Sequence, residues 1–330
     1  MSQSRVTAVQ PFRAIEGGRI DIYGSDLPAP GDEPLVHIGD RPARIVFACS
    51  SRIGAVVPAG FGLSGAVPVR IAGVPGETAI VNVAAPFATG LHQVDSPVFD
   101  ADGNLYVTFS GTRGQQVPVS IFRVKPDGTR ESFGTGIVNP TSLAVDAAGR
   151  LYVSSRFEST VYRLDADGTP QAFATDLGVA CGLAFASDGA LFVGDRTGTI
   201  FKVDAGGKAT PFATVPASVA AFHLAFGKSG ALYVAAPTFS TYDSLFRLDP
   251  DGTVTPLPYR FGRPQGLAVD ASGTLFVVEA LAGASGLYRI PDGGEPELYL
   301  SGPNLVGVAF DAHGALVVCS NDTAYRLARL

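Results

Sequence analysis

The chain has 330 residues, a formal net charge of -6 and only 16% charged residues, against roughly 25% in average globular proteins. An acidic balance counts against a phosphate-backbone partner, because nucleic-acid binders gather Lys and Arg on one face. No run approaches the ~20 apolar residues of a membrane span, and the opening MSQSRVTAVQPF has no basic segment followed by an apolar one, so a soluble, cytoplasmic protein with no nucleic-acid and no membrane partner is expected.

Cys49, Cys181 and Cys319 are odd in number and far apart, which makes neither a disulfide framework nor a CxxC metal site. They read as small buried hydrophobes. With 40 Gly and 24 Pro, turns are frequent, and 46% hydrophobic residues favour a strand-rich, tightly packed body.

Residues 5 to 84 carry short apolar runs separated by polar turns: RIDIYG from Arg19, PLVHIG from Pro34, ARIVFA from Ala43, RIGAVVP from Arg52, AVPVRIAG from Ala66 and TAIVNV from Thr78. Six or seven strands in so short a segment predict an immunoglobulin-like sandwich. The stretch resembles the IPT/TIG family in Val9 and Pro11, in the Gly17-Gly18 turn before Ile20 and Ile22, in Gly24, and in Val57-Pro58 followed by Gly60 and Gly65. The resemblance implies a spacer or docking module. His37, inside an apolar strand, reads as a packed or edge histidine rather than a ligand.

From residue 85 the punctuation becomes periodic. The unit from Thr141 to Ala180 consists of an apolar run, a DAAG turn, LYVSS, VYRLD and PQAFA, four short strands bounded by Gly and Asp. Its turn glycine recurs at Gly103, Gly149, Gly189, Gly230, Gly273 and Gly314. A period near forty with four strands per unit predicts a β-propeller of six blades. One position of the first strand is Ala144, Ala184, Ala225, Ala268 and Ala309, with Val98 in the first unit, as expected where blades converge on an axis. The third strand pairs an aromatic with a cation from Phe122-Arg123 to Tyr325-Arg326, placing the ring in the wedge between outer strands and the cation at the rim. The sixth unit lacks a fourth strand, and APFATGLHQV, residues 85 to 94, supplies one that closes the ring and removes two exposed edges. The expected division is therefore an immunoglobulin-like domain over residues 1-84 and an all-β propeller over 85-330.

Segments such as NPTSLAVDAAGRLYV and RPQGLAVDASGTLFV resemble NHL repeats and the gluconolactonase/SMP-30 group of six-bladed propellers. That resemblance implies a divalent cation such as Ca2+ at the channel mouth, held by oxygen ligands at the starts of the blades and polarising a lactone carbonyl or a bound water. The corresponding positions here are Asp95, Thr141, Cys181, Phe222, Gln265 and Val306. Only Asp95 is a carboxylate, and a thiol or neutral amide suits a hard cation poorly.

The ends of the second strands open on the same face and add Arg156, Asp195, Arg196, Glu279 and Asn321, with His223 beside Phe222. Two readings follow. In the first, the mouth binds a small polar ligand or a partner loop through Asp95, Thr141, Arg156, Cys181, Arg196, Phe222, Gln265 and Asn321. In the second, Asp95, Asp195 and Glu279 hold a cation while His223, Asp195 and Glu279 supply acid-base chemistry for lactone hydrolysis. Asp195 bonded to turn backbone and Glu279 paired with an arginine are the competing structural roles.

Overall fold

Short β-rich runs broken by Asp-x-x-Gly turns leave the chain few alternatives to antiparallel sheet, and the computed structural model contains no helix among its described residues, which are 4-28, 36-75, 79-92, 96-220, 222-281 and 283-327. The turns work as their composition suggests. Asp146 accepts hydrogen bonds from the amides of Ala148 (3.0 Å) and Arg150 (2.9 Å), and Asp270 does the same for Ser272 and Thr274. The carboxylate thus satisfies backbone donors that the reversal leaves free.

Five four-stranded sheets stand as separate blades of the propeller, in place of the six expected. They are formed by the first repeat (Val98 to Gly134), the second (Pro140 to Ala174), the third (Ala180 to Thr214), the fourth (His223 to Pro256) and the sixth. In the sixth, Ala85–Ala88 pairs antiparallel with Ala324–Arg326. The fifth repeat also forms four consecutive antiparallel strands, from Pro264–Val269 to Glu297–Ser301, but these end a twelve-stranded sheet. The cause is a two-residue strand, Arg13–Ala14, wedged between Glu297–Ser301 and Ala79–Val83 and parallel to both. It carries the sheet from the repeat into the N-terminal strands.

Those N-terminal strands also depart from two separate sheets. Arg41–Cys49 changes partner along its length: residues 41 to 43 pair with Val36–Ile38, and residues 44 to 49 pair with Arg52–Val56. Hydrogen bonding is therefore continuous, while Ile20, Ile22 and Ile53 from one part meet Val36, Val69 and Val81 from the other in one core. A single alanine, Ala84, separates this module from the closing strand, and it is buried.

Between blades, the repeated sequence positions pack together at the inner strand and farther out. Ala144, Ala184, Ala225 and Ala309 are buried where neighbouring sheets approach. Third-strand rings pack between blades, as Tyr162 does in the cluster of Tyr106 and Leu143 and Phe201 in that of Ala144 and Tyr152, and rings of the second strands add edge contacts across the same gaps. Phe192 makes edge contacts with Phe212 of its own blade (5.0 Å) and Phe226 of the next (5.1 Å), and Tyr152 does so with Phe173 and Phe185. Such pairs contribute ~0.5–1.5 kcal/mol each beyond their buried area. Third-strand cations face acids near the rim, as in Arg123 with Glu131 (2.9 Å) and Arg289 with Glu297 (2.7 Å). Those exposed pairs are worth little individually.

Candidate functional site

The mouth is built from a repeated irregularity. Four of the first strands enter their sheets through a break in register: between Pro140 and Leu143, Ala180 and Gly182, Pro264 and Leu267, and Leu305 and Gly307. Thr141, Cys181, Gln265 and Val306 occupy those breaks. An extra residue in one strand redirects its side chain, which is why bulges recur beside binding sites.

Opposite each break stands the last residue of the second strand: Ser155, Asp195, Glu279 or Ser320. These residues hold backbone. Asp195 accepts from the amides of Val179 (2.8 Å) and Thr197 (3.2 Å) and from the Thr197 hydroxyl. Glu279 accepts from the amides of Gly262, Arg263 (2.8 Å) and Leu281 (2.7 Å). Both carboxylates are almost fully buried, and their oxygens are occupied by the segment that leads into the first strand and by the residue two positions after each acid. Glu279 therefore does not pair with an arginine side chain, and neither acid lines the mouth cavity. Both acids, expected as cation ligands or acid-base groups, bond loop backbone in the structure. Asp95 lies outside the described residues.

The next residue along each second strand points the site outward. The amides of Arg156, Arg196 and Ala280 donate to the carbonyls of Asn139, Val179 and Arg263, setting these residues in facing pairs. Arg156, Cys181, Arg196, Arg263, Gln265, Asn304, Val306 and Asn321 then share one cavity of about 390 Å³. That volume falls within the ~300–1,000 Å³ of small-ligand sites.

The electrostatics favour an anion. Arg156, Arg196 and Arg263 make no ion pair among the described residues. Arg196 donates to the Val219 carbonyl (3.1 Å), and Arg156 reaches the Ser110 hydroxyl at 3.5 Å. Both half-buried guanidiniums act on the Cys181 thiol, but burial outweighs them and pushes it up to about 12. Cys181 is a neutral thiol in the wall rather than a thiolate ligand. Among the described residues no group of three or more His, Cys, Asp or Glu is arranged for a metal ion. Three guanidiniums, a protonated thiol and amides do not fit a divalent cation.

Other sequence candidates turn inward. Phe222 is completely buried, its ring and backbone packed against Gly182 and Gly194, where a Cβ would stand 2.8 Å from the Phe222 carbonyl oxygen and 3.0 Å from its Cβ. Thr141 is buried with its hydroxyl donating to the Asn139 carbonyl at 3.2 Å. His223 lies 3% exposed with Nδ1 3.4 Å from the Ser96 hydroxyl. Burial pushes its imidazole down to about 4, and the nearby Gln265 only partly opposes this while Nε2 remains without a hydrogen bond of good geometry. It is a neutral ring beneath the mouth, away from the lining.

Sequence reasoning missed Arg263 and Asn304. Each stands two residues before a bulge position, Gln265 and Val306, so period-two alternation was the available signal. It also missed Asn139, whose carboxamide accepts from the Gly114 amide (2.7 Å) and donates to the carbonyls of Gly111 and Thr112, fastening the first repeat's long loop beside Arg156.

No protein-family model matches the chain, and no curated protein matches it. Solved structures share its fold at low identity. An auxiliary nutrient binding protein from Bacteroides thetaiotaomicron aligns over 98% of this chain and 97% of its own, with TM-score 0.56 and 14% identity. A protein provisionally named a gluconolactonase aligns over 74% and 94%, with TM-score 0.59 and 18% identity. Virginiamycin B lyase from Staphylococcus aureus aligns over 72% and 95%, with TM-score 0.52 and 12% identity. The chain is therefore a β-propeller protein with gluconolactonase-like and lyase-like structural relatives.

Proposed function

We propose that this protein binds a small polar ligand in the mouth of the propeller. The observation that carries the reading is the division of labour at the second-strand ends: Asp195 and Glu279 are consumed by backbone amides, whereas Arg156, Arg196, Arg263, Gln265, Asn304 and Asn321 remain around one cavity. Those are groups that orient and hold a ligand. A hydrolase needs a base or nucleophile beside the reacting bond, and the neutral His223 lies beneath the lining.

In this reading residues 85-330 form a six-bladed ring, with the fifth repeat completing it although its sheet continues into the N-terminal module. Two contacts support that: Pro264–Val269 packs between His223–Phe226 and Leu305–Phe310, and Phe276 bridges Tyr299 and Phe310 as Phe192 bridges its own neighbours. Residues 1-84 act as an immunoglobulin-like docking module of the IPT/TIG kind, set against the ring by Arg13–Ala14 and by Ser64, whose hydroxyl donates to the Arg326 carbonyl (2.5 Å) and accepts from the Ala85 amide (2.8 Å). Full overlap with a structure named as a nutrient binding protein is consistent with the same division.

The test is a thermal-shift panel of neutral sugars, sugar lactones, carboxylates and phosphates, on the full chain and on Gln265→Ala and Asn321→Ala variants. Stabilisation by panel members that the variants lose supports mouth binding. Lactone turnover followed by pH indicator with Ca2+, Mg2+, Mn2+ or Zn2+, and abolished by Asp95→Ala, would replace it with the hydrolase reading.

A further inference from the structure

An acidic protein has concentrated in one small concavity three arginines that make no ion pair among the described residues. A guanidinium is always protonated, and three lining one cavity with no carboxylate among its described lining residues create a positive potential that a low-dielectric wall focuses. Arg156 and Arg196 are half-buried, and each occupies the position after a second-strand anchor, so the fold itself aims them at the same space. Arg263 joins them from the residue preceding a first strand, its backbone amide fixed by Glu279. Gln265, Asn304 and Asn321 supply neutral amides, which donate and accept and so match hydroxyl groups.

From these observations we propose that the mouth selects small polyanions: molecules bearing two or more carboxylate or phosphate groups on a compact hydroxylated frame. The inference rests on the mouth-binding reading and specifies its ligand class. Guanidiniums receive such oxyanions through paired, charge-assisted hydrogen bonds, which gives geometric selectivity as well as attraction. Two features are consistent with a single ligand bridging several blades: the arginines come from the second, third and fifth repeats, and the cavity of about 390 Å³ has room for a compact molecule rather than a polymer chain. A cation is repelled by the same charges, and a neutral sugar leaves three guanidiniums without partners.

The experiment is isothermal titration of the full chain in low-salt, phosphate-free buffer with citrate, fructose 1,6-bisphosphate, glucose and spermidine as probes. Citrate or the bisphosphate is expected to bind, with glucose and spermidine silent, and the tighter of the two distinguishes a carboxylate from a phosphate source. Arg156→Gln, Arg196→Gln and Arg263→Gln are each expected to weaken that binding about tenfold or more, with unchanged circular dichroism, and raising NaCl from 50 to 500 mM should weaken it as well. Arg196→Lys should recover only part of the loss, because an ammonium keeps the charge without the planar fork. Glucose binding that is lost in Asn321→Ala but indifferent to the arginine variants would overturn the polyanion class and leave mouth binding standing. Failure of every probe would overturn both.

Discussion

Substituting Gly168 and Gly149 by alanine separates the cost of a turn from the cost of blade contact. Both glycines have positive φ, +86° and +78°, so alanine at either meets the left-handed penalty of ~1–2 kcal/mol. Gly149 has open space around its missing Cβ. At Gly168 that atom would collide with the Phe133 carbonyl oxygen of the preceding blade and lie 2.8 Å from the carbonyl carbon. Since the obstacle is backbone, a blade must shift, adding ~1–3 kcal/mol. Unfolding entropy of ~2.1 cal/mol/K per residue over the whole chain converts 1 kcal/mol into ~1.4 °C. The Tm is then expected to fall by ~2 °C for Gly149→Ala and by ~5 °C for Gly168→Ala, measured by differential scanning calorimetry. Equal shifts would refute close packing of this turn against the neighbouring blade.

The depressed pKa of His223 makes stability depend on pH. The unfolded ring, with a pKa of ~6.5, takes a proton that the folded ring refuses until about 4, so this contribution is complete above pH ~6.5 and is lost as pH falls toward 4. The difference is worth ~3 kcal/mol, and urea unfolding of His223→Gln between pH 7 and 4.5 should show a correspondingly flatter profile. Glu279→Gln should cost ~1–3 kcal/mol through weakened bonds to three amides, with no Ca2+ dependence in either protein; a Ca2+-induced rise in Tm confined to the wild type would contradict the anchor role. Thiol titration should find Cys49 fast and Cys181 and Cys319 protected until unfolding, because the Ser51 contacts lower the exposed Cys49 thiol while burial raises the other two. Prompt reaction of all three would place the two buried thiols wrongly.

The repeat was readable because Asp-x-x-Gly turns and the alternation of LYVSS or LFVGD are local, and local chemistry determines where strands begin and reverse. What sequence spacing could not reveal was partnership across distance. Arg13–Ala14 is too short to register as a strand, yet it joins two parts of the sheet. Cys49 was expected to be buried from its type and is exposed at the end of the long strand that changes partners. At the mouth, Arg156, Cys181, Arg196, Gln265 and Asn321 were visible from alignment of the repeats, and the structure gathers them around one cavity. Asp195 and Glu279 belong to the same aligned column as Ser155 and Ser320, which also bind loop backbone: Ser155 donates to the Val138 carbonyl (2.5 Å) and Ser320 to the Thr323 carbonyl (3.3 Å). Charge drew attention to the two acids, while their column shared a mechanical task.

Ring closure also fixes an order of events during synthesis. Ala85–Ala88 leaves the ribosome long before its partner Ala324–Arg326, and the Ser64 hydroxyl that bridges the two spans 262 positions to reach Arg326. At ~5–20 residues per second the early strand waits for roughly 12 to 48 s. Throughout that interval its apolar edge has no partner in the chain and is open to pairing with another copy. Ala84, the residue just before that strand, clusters with Phe276, Leu287, Leu305 and Val318, so it too is covered only once the last repeats are made.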